Sequence, residues 1–294
     1  MNPQQIVVLT LQVSIILTVF GFGLGATPDD LLYVLRRPRI LARSLAAMFV
    51  IMPLFAIPLT TIFHFQRPVA IALVALSISP IPPLLPRRVT RAGGLAPYGL
   101  GLMVTAASLS IVFIPLAIEI IGQCFHKPFA MGPGPVAKLI GISIFLPLAA
   151  GMIFKKFAPG FAARIAKPSS LVATGLLIVG LIAILVFALP KMLALIGNGT
   201  LAALIAFIVV GLIVGHFLGG PHPDERVTLA LCTACRHPGL VLAMAAANVP
   251  EEQNVVSAVL LYLILSALLT IPYVSWQRRK INQQPMAPAQ SPVQ

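Results

Sequence analysis

The sequence predicts an all-α polytopic membrane protein of about nine transmembrane helices, on three observations. Of 294 residues, 59% are hydrophobic and 9% charged, a balance that no soluble domain of this length needs to fill its core. The apolar residues fall in long runs separated by short stretches of turn-forming and basic residues. A hydrocarbon layer about 30 Å thick takes about 20 apolar residues per helical crossing, so there is room for about nine or ten.

In order, the apolar runs place spans near 4–26, 42–63, 69–87, 97–121, 136–154, 169–189, 199–219, 226–248 and 254–275. The first run is kept as a span because Met1 to Gln5 carry no Lys or Arg and the run is too long for a signal-peptide core. Residues 281–294 are rich in Gln and Pro and read as a disordered tail.

The net charge of +13 is a topology signal. With the N-terminus outside, the inner loops collect fifteen basic residues: Arg36, Arg37, Arg39, Arg43, Arg87, Arg88, Arg91, Lys155, Lys156, Arg164, Lys167, Arg226, Arg278, Arg279 and Lys280. The outer loops hold four, Arg67, Lys127, Lys138 and Lys191. This asymmetry follows the positive-inside rule and puts the C-terminus on the cytoplasmic side, and the expected location is a bacterial-type inner (plasma) membrane. It leaves no surplus charge that asks for nucleic acid.

Two spans cannot be continuous helices. Pro80, Pro82, Pro83 and Pro86 fall within seven residues of the third span, removing amide donors and adding ring clashes. The eighth span, LALCTACRHPGLVLAMA, has Pro238 and Gly239 near its middle, directly after Arg236 and His237. An arginine at mid-membrane costs roughly 2.5 to 3.5 kcal/mol on insertion scales and marks a functional site by default. Glu119, near the outer end of span four, is too far along the chain's course to pair with it, which leaves broken-helix carbonyls or an anion. Spans three and eight run in opposite directions, each second-to-last in its half. That pattern predicts an inverted-repeat transporter with two discontinuous helices, residues 1–126 and 127–280 forming the halves.

Three cysteines, Cys124, Cys232 and Cys235, form no disulfide framework. Cys232 and Cys235 lie on one helical face beside His237, which opens a metal or metalloid reading, although Arg236 between them argues against a cation. A membrane thiol oxidoreductase using CTAC is the weaker use of the same pair. His216 reads as an interfacial residue. Nothing resembles a phosphate-binding loop or a paired-carboxylate site, so no enzyme, cofactor or resident metal is expected.

GFGLGATPDDLLYVLRRPR followed by FVIMPL resembles the opening of the bile acid:sodium symporter family. The resemblance continues through the interrupted third span, the turn at Gly93 and Gly94, and the stretch Gly239 to Ala243. It implies a panel domain and a core domain, with the two broken helices crossing in the core. TPDD also has a local reading, Thr27 capping a helix with Asp29 and Asp30 in its first turn.

The departures fall where that family binds sodium. Registered on the family's motifs, Leu85 and Pro86 stand where Ser and Asn would be, Cys232 at the Glu, Arg236 at the Gln, His237 at the Asn, Met48 at the span-two Gln and Gly101 at a Ser. Thr105 keeps an oxygen. A hard cation needs several oxygens, so sodium coupling is expected to be lost or altered. The expected function is secondary transport of a small organic anion by alternating access in the lipid bilayer, with proton coupling through His237 open. Arg236, His237, Gly239, Pro82, Pro83 and Thr105 are the expected substrate-binding residues. The alternatives are the metal or metalloid transporter using Cys232 and Cys235, and a sodium-dependent symporter with a relocated ion site.

Overall fold

The computed structural model describes residues 3–125 and 129–283. The expected outer-loop residue Lys127 and positions 284–294 of the expected tail lie outside the described residues. Residues 281–283 instead finish the last helix.

Every described element is helical: α1 (Pro3–Gly25), α2 (Pro28–Leu32), α3 (Pro38–Ile62), α4 (Arg67–Ile78), α5 (Leu85–Arg91), α6 (Ala96–Phe125), α7 (Pro133–Phe157), α8 (Pro159–Ala194), α9 (Thr200–Leu218), α10 (Pro223–Ala234), α11 (Pro238–Asn248) and α12 (Val255–Gln283). Proline opens most of them, because a fixed φ suits the first turn, where an amide has no helical partner anyway. Among the described residues eight stretches are long and apolar enough to cross a membrane, with Pro223–Asn248 taken as one. The expected third span, 69–87, divides instead into α4, 12 residues long, and the shorter α5. Helix α8 begins at Pro159, well before the expected start at 169, because Pro168 is accommodated inside it and Arg164 and Lys167 extend beyond the apolar part.

Helices α1, α7 and α8 form one layer. A Cβ on Gly23 of α1 would lie 2.9 Å from the Gly151 Cα of α7, so the two backbones touch through paired glycines, the usual device where lipid supplies no hydrophobic drive. The other helices surround α10 and α11, the most buried of the candidate spans although the least apolar. Glycines again set the approach. A Cβ on Gly211 of α9 would lie 2.8 Å from the Ala234 Cα, and one on Gly215 would collide with Ala230.

The loops sort to two ends. At one, Lys155 Nζ donates to the Gly25 and Ala26 carbonyls at 3.0 and 3.1 Å, and the Leu95 amide to Thr228 Oγ1 at 2.8 Å. Thr27 caps α2 reciprocally with Asp30 there, as its sequence suggested, while Asp29 pairs with Arg36 at 2.7 Å. At the other end Arg67 meets Glu251 and Glu252 at 3.0 and 3.2 Å. The first is the basic end.

Candidate functional site

The site is built from backbone groups that proline leaves without partners. Residues before proline avoid the helical region. Ser79, before Pro80, is extended (φ −81°, ψ 150°) and ends α4. His237, before Pro238, is likewise non-helical (φ −78°, ψ 101°), and Cys235 ends α10 extended. The two breaks meet, for the His237 amide donates to the Pro80 carbonyl at 2.9 Å. Each interruption thus satisfies the other, as backbone at membrane depth requires.

Arg236 completes the joint. Its side chain is fully buried. Nη1 donates to the Ser79 carbonyl at 3.0 Å and Nη2 to the Met48 carbonyl at 2.8 Å. The Met48 carbonyl is available for a sequence reason. Residues Ala46–Ile51 form a π-turn in α3, in which Met52 bonds back five residues to Ala47. The next amide in that register would come from Pro53, which has none. Arg236 supplies the missing donor. Its own amide donates to Tyr262 Oη at 2.8 Å, and that hydroxyl donates to the Ala234 carbonyl at 2.7 Å.

Two donors in this cluster have no partner. Arg236 Nε and His237 Nε2 are buried and unpaired. The tautomer of His237 follows from its cap: Nδ1 accepts from the Leu240 amide at 3.3 Å, so the neutral ring carries its proton on Nε2. Consecutive residues therefore each hold a buried N–H without an acceptor. Among the described residues no carboxylate lies within ion-pair distance of Arg236.

The remaining predicted residues are only partly gathered. Pro83 is buried and Pro82 half-buried within the first interruption. A Cβ on Gly239 would stand 3.1 Å from the His237 ring, so glycine there leaves the imidazole its place. Thr105 is half-buried and spends its proton on the Gly101 carbonyl at 2.8 Å. Among the positions matched to the family's ion ligands, Leu85, Pro86, Met48, Cys232 and Gly101 are all buried. At Gly101 a Cβ would lie 2.8 Å from the Asp30 carbonyl, so α2 closes the position where a serine would stand. Cys235 Sγ lies 3.4 Å from Ser266 Oγ. No three His, Cys, Asp or Glu side chains converge on a metal-sized site among the described residues.

Sequence reasoning missed Ser79 and Tyr262, and read Pro80 only as a helix breaker, not as the acceptor for the His237 amide. Tyr262 sits in the run LLYLIL, where a phenol among aliphatics was the available signal. It also placed Arg87, Arg88 and Arg91 in a loop. They lie on α5 and divide between two faces. Arg88 reaches the Ser266 and Ala267 carbonyls at 3.4 and 3.1 Å, the Thr270 hydroxyl, and Cys235 Sγ at 3.9 Å. Arg87 turns the other way, toward α8.

An integral membrane protein whose two interrupted helices satisfy each other's backbone has the construction of a secondary transporter. A profile described as the Sodium Bile acid symporter family matches residues 12–195, and the chain belongs to that family. It is also similar to a protein of Bacillus subtilis (strain 168) named uncharacterized sodium-dependent transporter YocS. The two are 23% identical over 257 residues, 82% of this chain and 75% of that relative.

Proposed function

We propose that the chain carries a small organic anion across the membrane by alternating access and does so without sodium. One observation carries this reading: the Arg236 guanidinium is lodged between the Ser79 and Met48 carbonyls where the interruptions meet. In the registration above Arg236 and Met48 stand at family sodium ligands, so a fixed cation takes the place of a mobile one. At 4 Å and an effective dielectric of about 20, a second cation would be repelled by roughly 4 kcal/mol. The charge has carbonyl partners but no carboxylate, and an anion that accepts from Arg236 Nε and His237 Nε2 would compensate it. Gly239, Pro82, Pro83 and Thr105 border that position in this reading.

The same reading takes residues 1–126 and 127–280 as inverted halves, and α1, α7 and α8 as the layer against which the rest moves. The basic end faces the cytoplasm of a bacterial cell, with the N-terminus outside. A second reading, a sodium-dependent symporter with its ion elsewhere, draws support from the printed name of the Bacillus subtilis relative.

A melting screen of small carboxylates and sulfonates identifies the anion, and uptake into proteoliposomes then separates the readings. Replacing sodium with choline should leave uptake unchanged, and a strong sodium requirement would overturn the proposal in favour of the relocated site. Arg236→Gln should abolish anion binding in protein that still folds, whereas retained affinity would reduce Arg236 to a structural role.

A further inference from the structure

A cavity of about 390 Å³ opens between α1, α5 and α8, away from the crossing. Arg87, Arg91, Thr90, Thr18, Ser170 and Phe22 line it, and none of the chain's seven acidic residues does. Arg87 and Arg91 are four residues apart on α5 and therefore share a face, an arrangement that is unfavourable for like charges unless something negative lies between them. Arg87 Nη1 is held by Thr174 Oγ1 at 2.6 Å and the Ser170 carbonyl at 3.3 Å, which fixes the guanidinium at the wall. Arg91 makes no hydrogen bond or ion pair among the described residues, and the Ser170 hydroxyl likewise makes none. Thr18 and Thr90 spend their protons on the Ser14 and Pro86 carbonyls of their own helices. The cavity thus holds one anchored guanidinium, one free guanidinium and one free hydroxyl, with Phe22 as an apolar wall.

We infer that this crevice is a second anion site, distinct from the crossing, that takes the oxyanion head of a small organic molecule: a carboxylate, sulfonate or phosphate. A planar fork of donors beside a free hydroxyl matches an oxyanion, and the volume lies at the low end of small-molecule pockets. Helix α5 links the first interruption to this crevice, so the site suits an anion at the basic end of its passage. That role rests on the transport reading, whereas the binding does not.

The probes are citrate and inorganic phosphate, and the readout is arginine modification by phenylglyoxal on the purified full chain, quantified by peptide mass spectrometry. Either anion should slow adduct formation at Arg91 several-fold while leaving Arg36 and Arg67 unchanged, and Arg87→Gln should weaken the protection. Equal labelling of Arg91 with and without both anions, or protection shared equally with Arg36, would overturn the site. Nanodiscs of phosphatidylcholine with or without phosphatidylglycerol distinguish the source. Protection by phosphatidylglycerol that citrate does not reverse assigns the site to a lipid headgroup, and protection by citrate in phosphatidylcholine alone assigns it to a soluble anion. Loss of protection with uptake intact would sink this site alone. Protection without any uptake would sink the transport reading and leave the site.

Discussion

Arg236 and Arg91 both lack a carboxylate partner, yet they sit at opposite extremes. Arg236 is enclosed, and its partners are carbonyls that proline has orphaned. Arg91 is exposed at the mouth of a crevice and has no partner among the described residues. In one region the protein commits both terminal nitrogens of an arginine to its own backbone and leaves only Nε free, and in the other it leaves a whole guanidinium unpaired. A buried guanidinium is therefore not by itself a ligand site, and the free donors around it are the better guide.

Removing the enclosed arginine should have the largest effect. Arg236→Leu leaves the Ser79 and Met48 carbonyls unpaired at membrane depth, a loss on the order of 3 kcal/mol from two charge-assisted bonds. Detergent melting should drop sharply or yield of folded protein collapse. Arg91→Gln should leave melting unchanged. If the two variants melted alike, the distinction between the regions would fail.

Next in size is the contact that holds the second interruption in place. Gly215→Ala puts a methyl into Ala230, an overpacking penalty of roughly 1–3 kcal/mol. Gly141→Ala, with nothing within 4 Å of its Cβ, is the control and should be neutral by melting. Tyr262→Phe follows, since it removes the hydroxyl that serves the Arg236 amide and the Ala234 carbonyl together. A loss of about 1–2 kcal/mol is expected, with slower uptake. Uptake lost without any change in melting would move Tyr262 from structure to transport.

Much of this was legible in the residues, and the pattern of success is physical. Proline spacing located both interruptions, because a missing amide is a local fact. The grouping of Arg36, Lys155 and Arg226 at one end followed from charge alternation along the chain. What was not legible is pairing between distant segments. Ser79 and Met48 offer backbone carbonyls, which no side-chain pattern announces, and the π-turn that frees Met48 shows in the sequence only as the proline of IMPL. Arg87, Arg88 and Arg91 were read as a topology marker, which hid that α5 turns one of them toward α12 and two into a crevice.

The smallest effect belongs to the basic end, where water can replace what a mutation removes. Thr27 accepts from the Asp30 amide at 3.3 Å, and Asp30 accepts from the Thr27 amide at 2.7 Å. Thr27→Ala should cost about 1 kcal/mol by loss of the cap. Half of the reciprocal pair survives, because the Asp30 carboxylate still reaches the backbone amide of residue 27. Helix α2 packs against Gly101 of α6, so fraying there should loosen the start of α6. Hydrogen exchange should show faster turnover in residues 28–33 and 96–101, with the crossing unaffected. Faster exchange at 235–240 as well would mean that the two regions are coupled, and the enclosed arginine would then respond to events at the basic end.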